Sequence, residues 1–123
     1  MKLYDGGKAP NPRRVRVFLK EKGIDFIAGR ARYADLPRGE IIGDQTGFLK
    51  LLFRRGDMRL LGVHVIGEHA TELIHIGLIA MLAEAGADLF NRACFNYPTL
   101  GDLYKYAAYD ALSARERPAH PGN

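Results

Sequence analysis

Cysteine is nearly absent from this chain of 123 residues: Cys94 stands alone, which excludes an internal disulfide framework and an intramolecular dithiol redox pair. Long apolar runs are missing too. The longest, from Leu73 to Ala83, contains His75 and falls well short of the roughly 20 residues that a bilayer demands. The first residues offer Asp5, Gly6, Gly7, Pro10 and Pro12 where a secretory leader needs an apolar core, so the expected location is the cytoplasm. No G-x-G-x-x-G, Walker loop or G-x-S-x-G occurs, and no segment read alone forms a complete active site.

What is present suits a single globular domain. Hydrophobic residues make up 47% of the chain and charged residues 26%, enough for a core and balanced enough to stay out of the disordered class. The net charge of +4 comes from 18 Lys and Arg against 14 Asp and Glu. Much of the excess clusters at helical spacing in Arg13, Arg14, Arg16, Lys20 and Lys22, with Arg30, Arg32, Arg54 and Arg55 spread further on. Neither interleaved aromatics nor zinc-finger spacing accompanies the cluster. It reads as solvated surface, and a basic nucleic-acid-binding module remains only an alternative.

Lys2-Leu3-Tyr4 reads as a short strand, and Asn11 with Pro12 starts a helix whose apolar stripe is Val15, Phe18 and Leu19. Gly23 ends that helix, the chain runs extended from Asp25 to Tyr33, and Leu36-Pro37-Arg38-Gly39 breaks it. The centre is a hairpin of two apolar runs, 47–53 and 60–66, joined by a turn containing Gly56 and Asp57. Both runs are apolar on nearly both faces, which predicts a sheet covered on each side. From Ala70 to Ala85 a helix carries Leu73, Ile74, Ile76, Leu78, Ile79, Met81 and Leu82 most of the way round, which in so small a domain calls for a partner surface. A last helix starts at Thr99, paired in capping-box fashion with Asp102, and buries Leu100, Leu103, Tyr104, Ala107, Ala108, Ala111 and Leu112. The order β-α-β, antiparallel hairpin, α, α is an α+β arrangement, one structural domain with residues 116–123 as a flexible tail.

Glu72 and His75 share one helix face at the spacing used by di-metal carboxylate bundles, but no second such pair exists, so no metal is expected. His69 and His75 are six apart, which separates them around a helix. His75 is read as a hydrogen-bonded residue at a surface or interface. Cys94, between Ala93 and Phe95, is read as a small buried hydrophobe.

From about residue 29 to 113 the sequence resembles the C-terminal dimerisation domain of the pyridine nucleotide-disulfide oxidoreductases. The resemblance rests on Gly29-Arg30-Ala31-Arg32-Tyr33, Ile41-Ile42-Gly43-Asp44 and Gly47-Phe48-Leu49-Lys50-Leu51-Leu52-Phe53. It continues in Leu61-Gly62-Val63-His64-Val65-Ile66-Gly67, Ala70-Thr71-Glu72-Leu73-Ile74-His75-Ile76-Gly77 and Phe95-Asn96-Tyr97-Pro98-Thr99. Disulfide-reducing members carry His-Pro-Thr-x-x-Glu where this chain has Tyr97-Pro98-Thr99-Leu100-Gly101-Asp102. Tyrosine, which ionises near pH ~10 as a free side chain, is a poor base at neutral pH, and its presence resembles the soluble pyridine nucleotide transhydrogenase branch. Asp102 in place of Glu departs from the pattern.

The resemblance implies a homodimerising domain of an FAD-dependent enzyme exchanging hydride between NADPH and NAD. It also implies that FAD- and nicotinamide-binding regions precede it and that this chain alone binds neither cofactor and catalyses nothing. Tyr97, Pro98, Thr99 and Asp102 are then the motif positions near a partner's flavin. Leu73, His75, Ile76, Ile79, Leu103 and Tyr104 are the interface candidates, with no membrane and no metal involved.

Residues 1–24 resemble something else: Met1-Lys2-Leu3-Tyr4, Ala9-Pro10-Asn11-Pro12-Arg13-Arg14-Val15-Arg16-Val17-Phe18-Leu19 and Glu21-Lys22-Gly23-Ile24 are similar to the opening strand and helix of a glutathione transferase. Ala9 or Asn11 stands where such enzymes place a thiolate-stabilising Ser or Cys. A glutathione-transferase-like protein is therefore the alternative enzyme. In the main reading, this β-α unit fills the opening slot of the dimerisation domain at 25–115.

Overall fold

In a computed structural model, which describes residues 2–3, 19 and 21–117, the apolar runs flanking Gly56-Asp57 close into the expected hairpin. The described elements are β1 (Lys2–Leu3), β2 (Phe26–Arg32), a 3-10 turn (Tyr33–Asp35), α1 (Pro37–Ile42), β3 (Phe48–Arg54), β4 (Leu60–Ile66), α2 (Ala70–Leu82), α3 (Ala87–Arg92) and α4 (Asp102–Glu116). The strands form one sheet in the order β1-β4-β3-β2. β3 pairs antiparallel with both β2 and β4, and β1 lies parallel to β4 with Lys2 opposite Val63. The architecture is α+β, with the helices packed on the sheet.

The hairpin turn is fixed by Asp57, whose carboxylate accepts bonds from the Arg54 guanidinium at 2.9 and 2.5 Å and from the Arg59 amide at 3.1 Å. Leu49, Leu51, Phe53, Val63 and Val65 join one core with α2 and α4. The other face of the hairpin is buried as well, through Leu52, Lys50 and His64, with Leu19 also buried. Glycines set the two tightest helix-to-sheet approaches. A Cβ on Gly29 would sit 2.0 Å from the Ala107 carbonyl of α4, and one on Gly77 would sit 2.4 Å from the Val63 side chain of β4. Only a residue without a side chain lets helix and strand backbones come that close.

The helix before β2 ends as its sequence dictates. Gly23 is left-handed at φ 67, and the Ile24 amide reaches back to the Leu19 carbonyl at 2.9 Å, the six-to-one bond of a Schellman exit. The expected Asn11 cap, the stripe residues Val15 and Phe18, and the tail from Pro118 lie outside the described residues.

Several expectations are corrected. Pro37 does not merely break the chain but opens α1, occupying the first turn where its missing amide costs nothing. α3 was not expected at all; six residues are too few for an apolar period to register. α2 stops at Leu82, and α4 begins at Asp102 with Gly101 at its N-cap. Thr99 does not cap α4, because its hydroxyl donates to the Asn96 carbonyl at 2.6 Å within the preceding loop. Cys94 is exposed, since Ala93 already leaves α3 in extended conformation and turns the next residue outward.

Candidate functional site

The loop from Phe95 to Gly101 joins α3 to α4 and is anchored at its ends. Leu100 is buried, and the Phe95 ring lies against Gly101, 3.2 Å from where a Cβ would stand. Between these anchors the Tyr97–Pro98 peptide bond is cis, and Tyr97 projects outward with 74% of its surface exposed. Pro98, Thr99 and Asp102 are half-buried beside it. A fixed loop thus presents one aromatic hydroxyl to whatever lies opposite.

Beside this loop an open cleft of about 450 Å³ runs between α1, the start of α2 and residues 99–101. Its apolar lining is Ile42, Leu73, Ile76 and Leu100, with Arg38, His69, Glu72 and Thr99 as the charged and polar members. The sequence reading missed the cleft, because α1, which supplies Arg38 and Ile42, gave no periodic signal.

The cleft reaches the outer face of α2 at Glu72. Leu73, Ile74, Gly77 and Ala80 turn inward and are buried. Outward lie Glu72, His75, Ile79 and Leu82, spaced to share one side of the helix. Ile79 is 63% exposed and Leu82 73%, so the apolar girdle of this helix is covered on only one side. Exposed pairs of large aliphatic residues at helical spacing are the kind of surface that association buries. Of the expected interface candidates, Ile79 and His75 stand outside and Ile76 is half-buried in the cleft, whereas Leu73, Leu103 and Tyr104 belong to the chain's own core.

Tyr104 is fully buried and makes two bonds into α2: its hydroxyl donates to the Leu73 carbonyl at 2.5 Å and accepts from the Gly77 amide at 3.1 Å. Its ring lies 5.2 Å from that of Phe90 at 32°. Burial pushes its hydroxyl well above the ordinary tyrosine range, and the group stays protonated as a donor. Tyr33 is similar in kind: it donates to the Glu68 carbonyl at 2.7 Å, and burial pushes it up to about 12. Asp44 ties the loop after α1 to the entry of α2, accepting from the amides of Glu68, Gly47 and Thr46, and these bonds, Glu68 foremost, hold its carboxyl below the usual value. Sequence periodicity placed Tyr104 in the core but carried no sign of its polar end.

Among the described residues no cluster of three or more His, Cys, Asp or Glu could hold a metal, and no helix is long and apolar enough to cross a membrane.

Residues 17–108 match the family model for the pyridine nucleotide-disulphide oxidoreductase dimerisation domain. The chain is 44% identical over 99 residues to the soluble pyridine nucleotide transhydrogenase of Mycobacterium bovis, an alignment covering 80% of this chain and 21% of that protein. It is 39% identical over 104 residues to the enzyme of the same name from Hahella chejuensis, covering 81% of this chain and 22% of the relative. The chain thus spans about a fifth of the length of the curated relatives it matches. In fold it is similar to LpdA from Mycobacterium tuberculosis, with a TM-score of 0.70 at 19% identity over 76% of this chain and 20% of that one. The HOCl-induced flavoprotein disulfide reductase RclA from Escherichia coli gives a TM-score of 0.69 at 22% identity, over 73% of this chain and 21% of that one.

Proposed function

The chain belongs to the pyridine nucleotide-disulphide oxidoreductase dimerisation-domain family, and from that membership we propose that it pairs two copies of a soluble, cytoplasmic transhydrogenase-type flavoenzyme. Hydride exchange between NADPH and NAD is chemistry that FAD supplies. The sequence has no glycine-rich phosphate loop, and the cleft beside the Tyr97 loop is open and largely apolar among the described residues. No chemical step is therefore assigned to these residues. Their part is assembly, with Tyr97 and its loop facing the partner's flavin region.

The observation that carries this reading is the outward pair Ile79 and Leu82 on a helix that is apolar nearly all round. Burying two such side chains against a second copy is worth several kcal/mol, at about 1.5–3 kcal/mol each. Tyr97 supports the second half of the reading, because a tyrosine held outward on a fixed loop can touch a neighbour without itself acting as a base at neutral pH. The test is the double variant Ile79→Lys with Leu82→Lys. It is expected to elute from a sizing column as a single chain at concentrations where the wild type elutes as a pair, with a melting temperature lowered only as far as loss of the pair requires. Unchanged pairing in that variant would remove α2 from the interface.

A further inference from the structure

Leu73 and Gly77 stand four residues apart in α2, so the carbonyl of one and the amide of the other are the two groups that a single α-helical rung joins. The Tyr104 hydroxyl enters that rung from the side, 2.5 Å from the carbonyl it donates to and 3.1 Å from the amide it accepts from. At Gly77 the absence of a side chain lets Val63 close on α2, 2.4 Å from where a Cβ of residue 77 would stand. Tyr104 comes from α4, the helix that begins where the Tyr97 loop ends. One buried hydroxyl therefore bridges the helix carrying Ile79 and Leu82 and the helix that follows the motif loop.

The close fit of Gly77 on Val63 seats α2 on β4, but apolar contacts alone set its orientation toward α4 only loosely. The inward residues Leu73, Ile74 and Ala80 can repack after a small shift, because dispersion and area burial have no strong direction. A hydroxyl that must donate to one fixed atom and accept from another does not tolerate it. A slide of one residue, about 1.5 Å, or the rotation that accompanies it breaks both bonds. We propose that Tyr104 is a positioning residue that fixes the register of α2 against α4, so that the outward Ile79–Leu82 face and the Tyr97 loop keep one geometry relative to each other. The consequence for pairing rests on the reading of α2 as the interface; the coupling of the two helices does not.

Tyr104→Phe is the discriminating variant, because it keeps the ring against Phe90 and leaves the Leu73 carbonyl and Gly77 amide to satisfy each other within the helix. It is expected to fold. Tyr33→Phe is the matched control, also losing a hydroxyl-to-carbonyl bond, but at Glu68 ahead of α2. Amide hydrogen exchange, read by NMR on single-chain samples diluted below the pairing range, should speed up in Tyr104→Phe by about tenfold from Gly77 to Leu82. In Tyr33→Phe the same amides should stay within about twofold of wild type. The dissociation constant of the pair should rise about fivefold in Tyr104→Phe and stay within about twofold in Tyr33→Phe. Equal exchange in the two variants along α2 overturns the coupling, whatever the pairing constant does. Faster exchange in Tyr104→Phe alone supports it even if the wild type never pairs, and in that case it is the interface reading that fails.

Discussion

At the scale of single residues, charge and polarity act in this fold mainly by tying loops. Asp44 is the clearest case: its carboxylate gathers the amides of Thr46, Gly47 and Glu68 and so closes the chain between α1 and β3 onto the entry of α2. Those bonds favour the ionised form, which keeps the folded-state value below the ordinary 3.8. The folded protein then releases this proton more readily than the unfolded chain does. Its stabilisation is complete above 3.8 and is lost as pH falls through the depressed folded value. Urea midpoints measured from neutral pH downward should therefore decline below about pH 4, and Asp44→Asn should be less stable at neutral pH with a shallower acid decline. The decline should not vanish, because Asp57, held low by the Arg54 guanidinium, follows the same rule. A variant retaining the full wild-type decline would place the acid sensitivity elsewhere. Periodicity cannot announce such a residue. Asp44 lies in a loop, and its partner Glu68 is 24 positions away.

At the scale of elements, most of the fold was legible wherever a pattern ran for a full strand or several helical turns. β2, the hairpin, α2 and α4 stood near their expected places because alternation and three-four spacing report which faces are buried. α1 and α3 escaped because a helix of six residues offers less than two turns of pattern and is held by its neighbours instead. The start of α4 was misjudged for a related reason: Thr99 has the chemistry of a cap, but its hydroxyl is engaged with Asn96 in the motif loop. Gly29 shows what composition hides. It looks like a weak strand residue, yet it is the point where α4 lies directly on β2, and the Arg30 amide beside it donates to Asp110 of the same helix at 2.9 Å. Gly29→Ala should lower stability by about 3 kcal/mol, near the upper end for overpacking, because the added methyl meets backbone rather than a movable side chain. Thermal unfolding checks this. A loss below about 0.5 kcal/mol would mean that α4 can lift from the sheet freely.

At the scale of the whole molecule, the outer side of α2 leaves two large aliphatic side chains uncovered on one helix face, with Ile41, Ile66 and Leu89 also exposed among the described residues. The sheet is buried on both faces at β3 and β4, and α4 is closed onto β2, while Ile79 and Leu82 remain outside. The sequence anticipated this imbalance, since a helix apolar most of the way round cannot be satisfied by one small domain. Of the interface candidates it named, Ile79 and His75 are exposed, whereas Leu73, Leu103 and Tyr104 lie in the chain's own core. Tyr104 reads from sequence as an interface candidate, yet it is buried with its hydroxyl on α2, and Gly77 lies where Val63 closes on that helix. The candidate site was legible as a motif, Tyr97-Pro98-Thr99, but its outward projection and the adjoining cleft required the fold. The central claim is that the uncovered side of α2 is where a second copy sits. Sedimentation equilibrium of the wild-type chain at tens of micromolar tests it most directly: the account predicts a mass twice the 13.7 kDa of one chain, and a mass of 13.7 kDa across that range would contradict it.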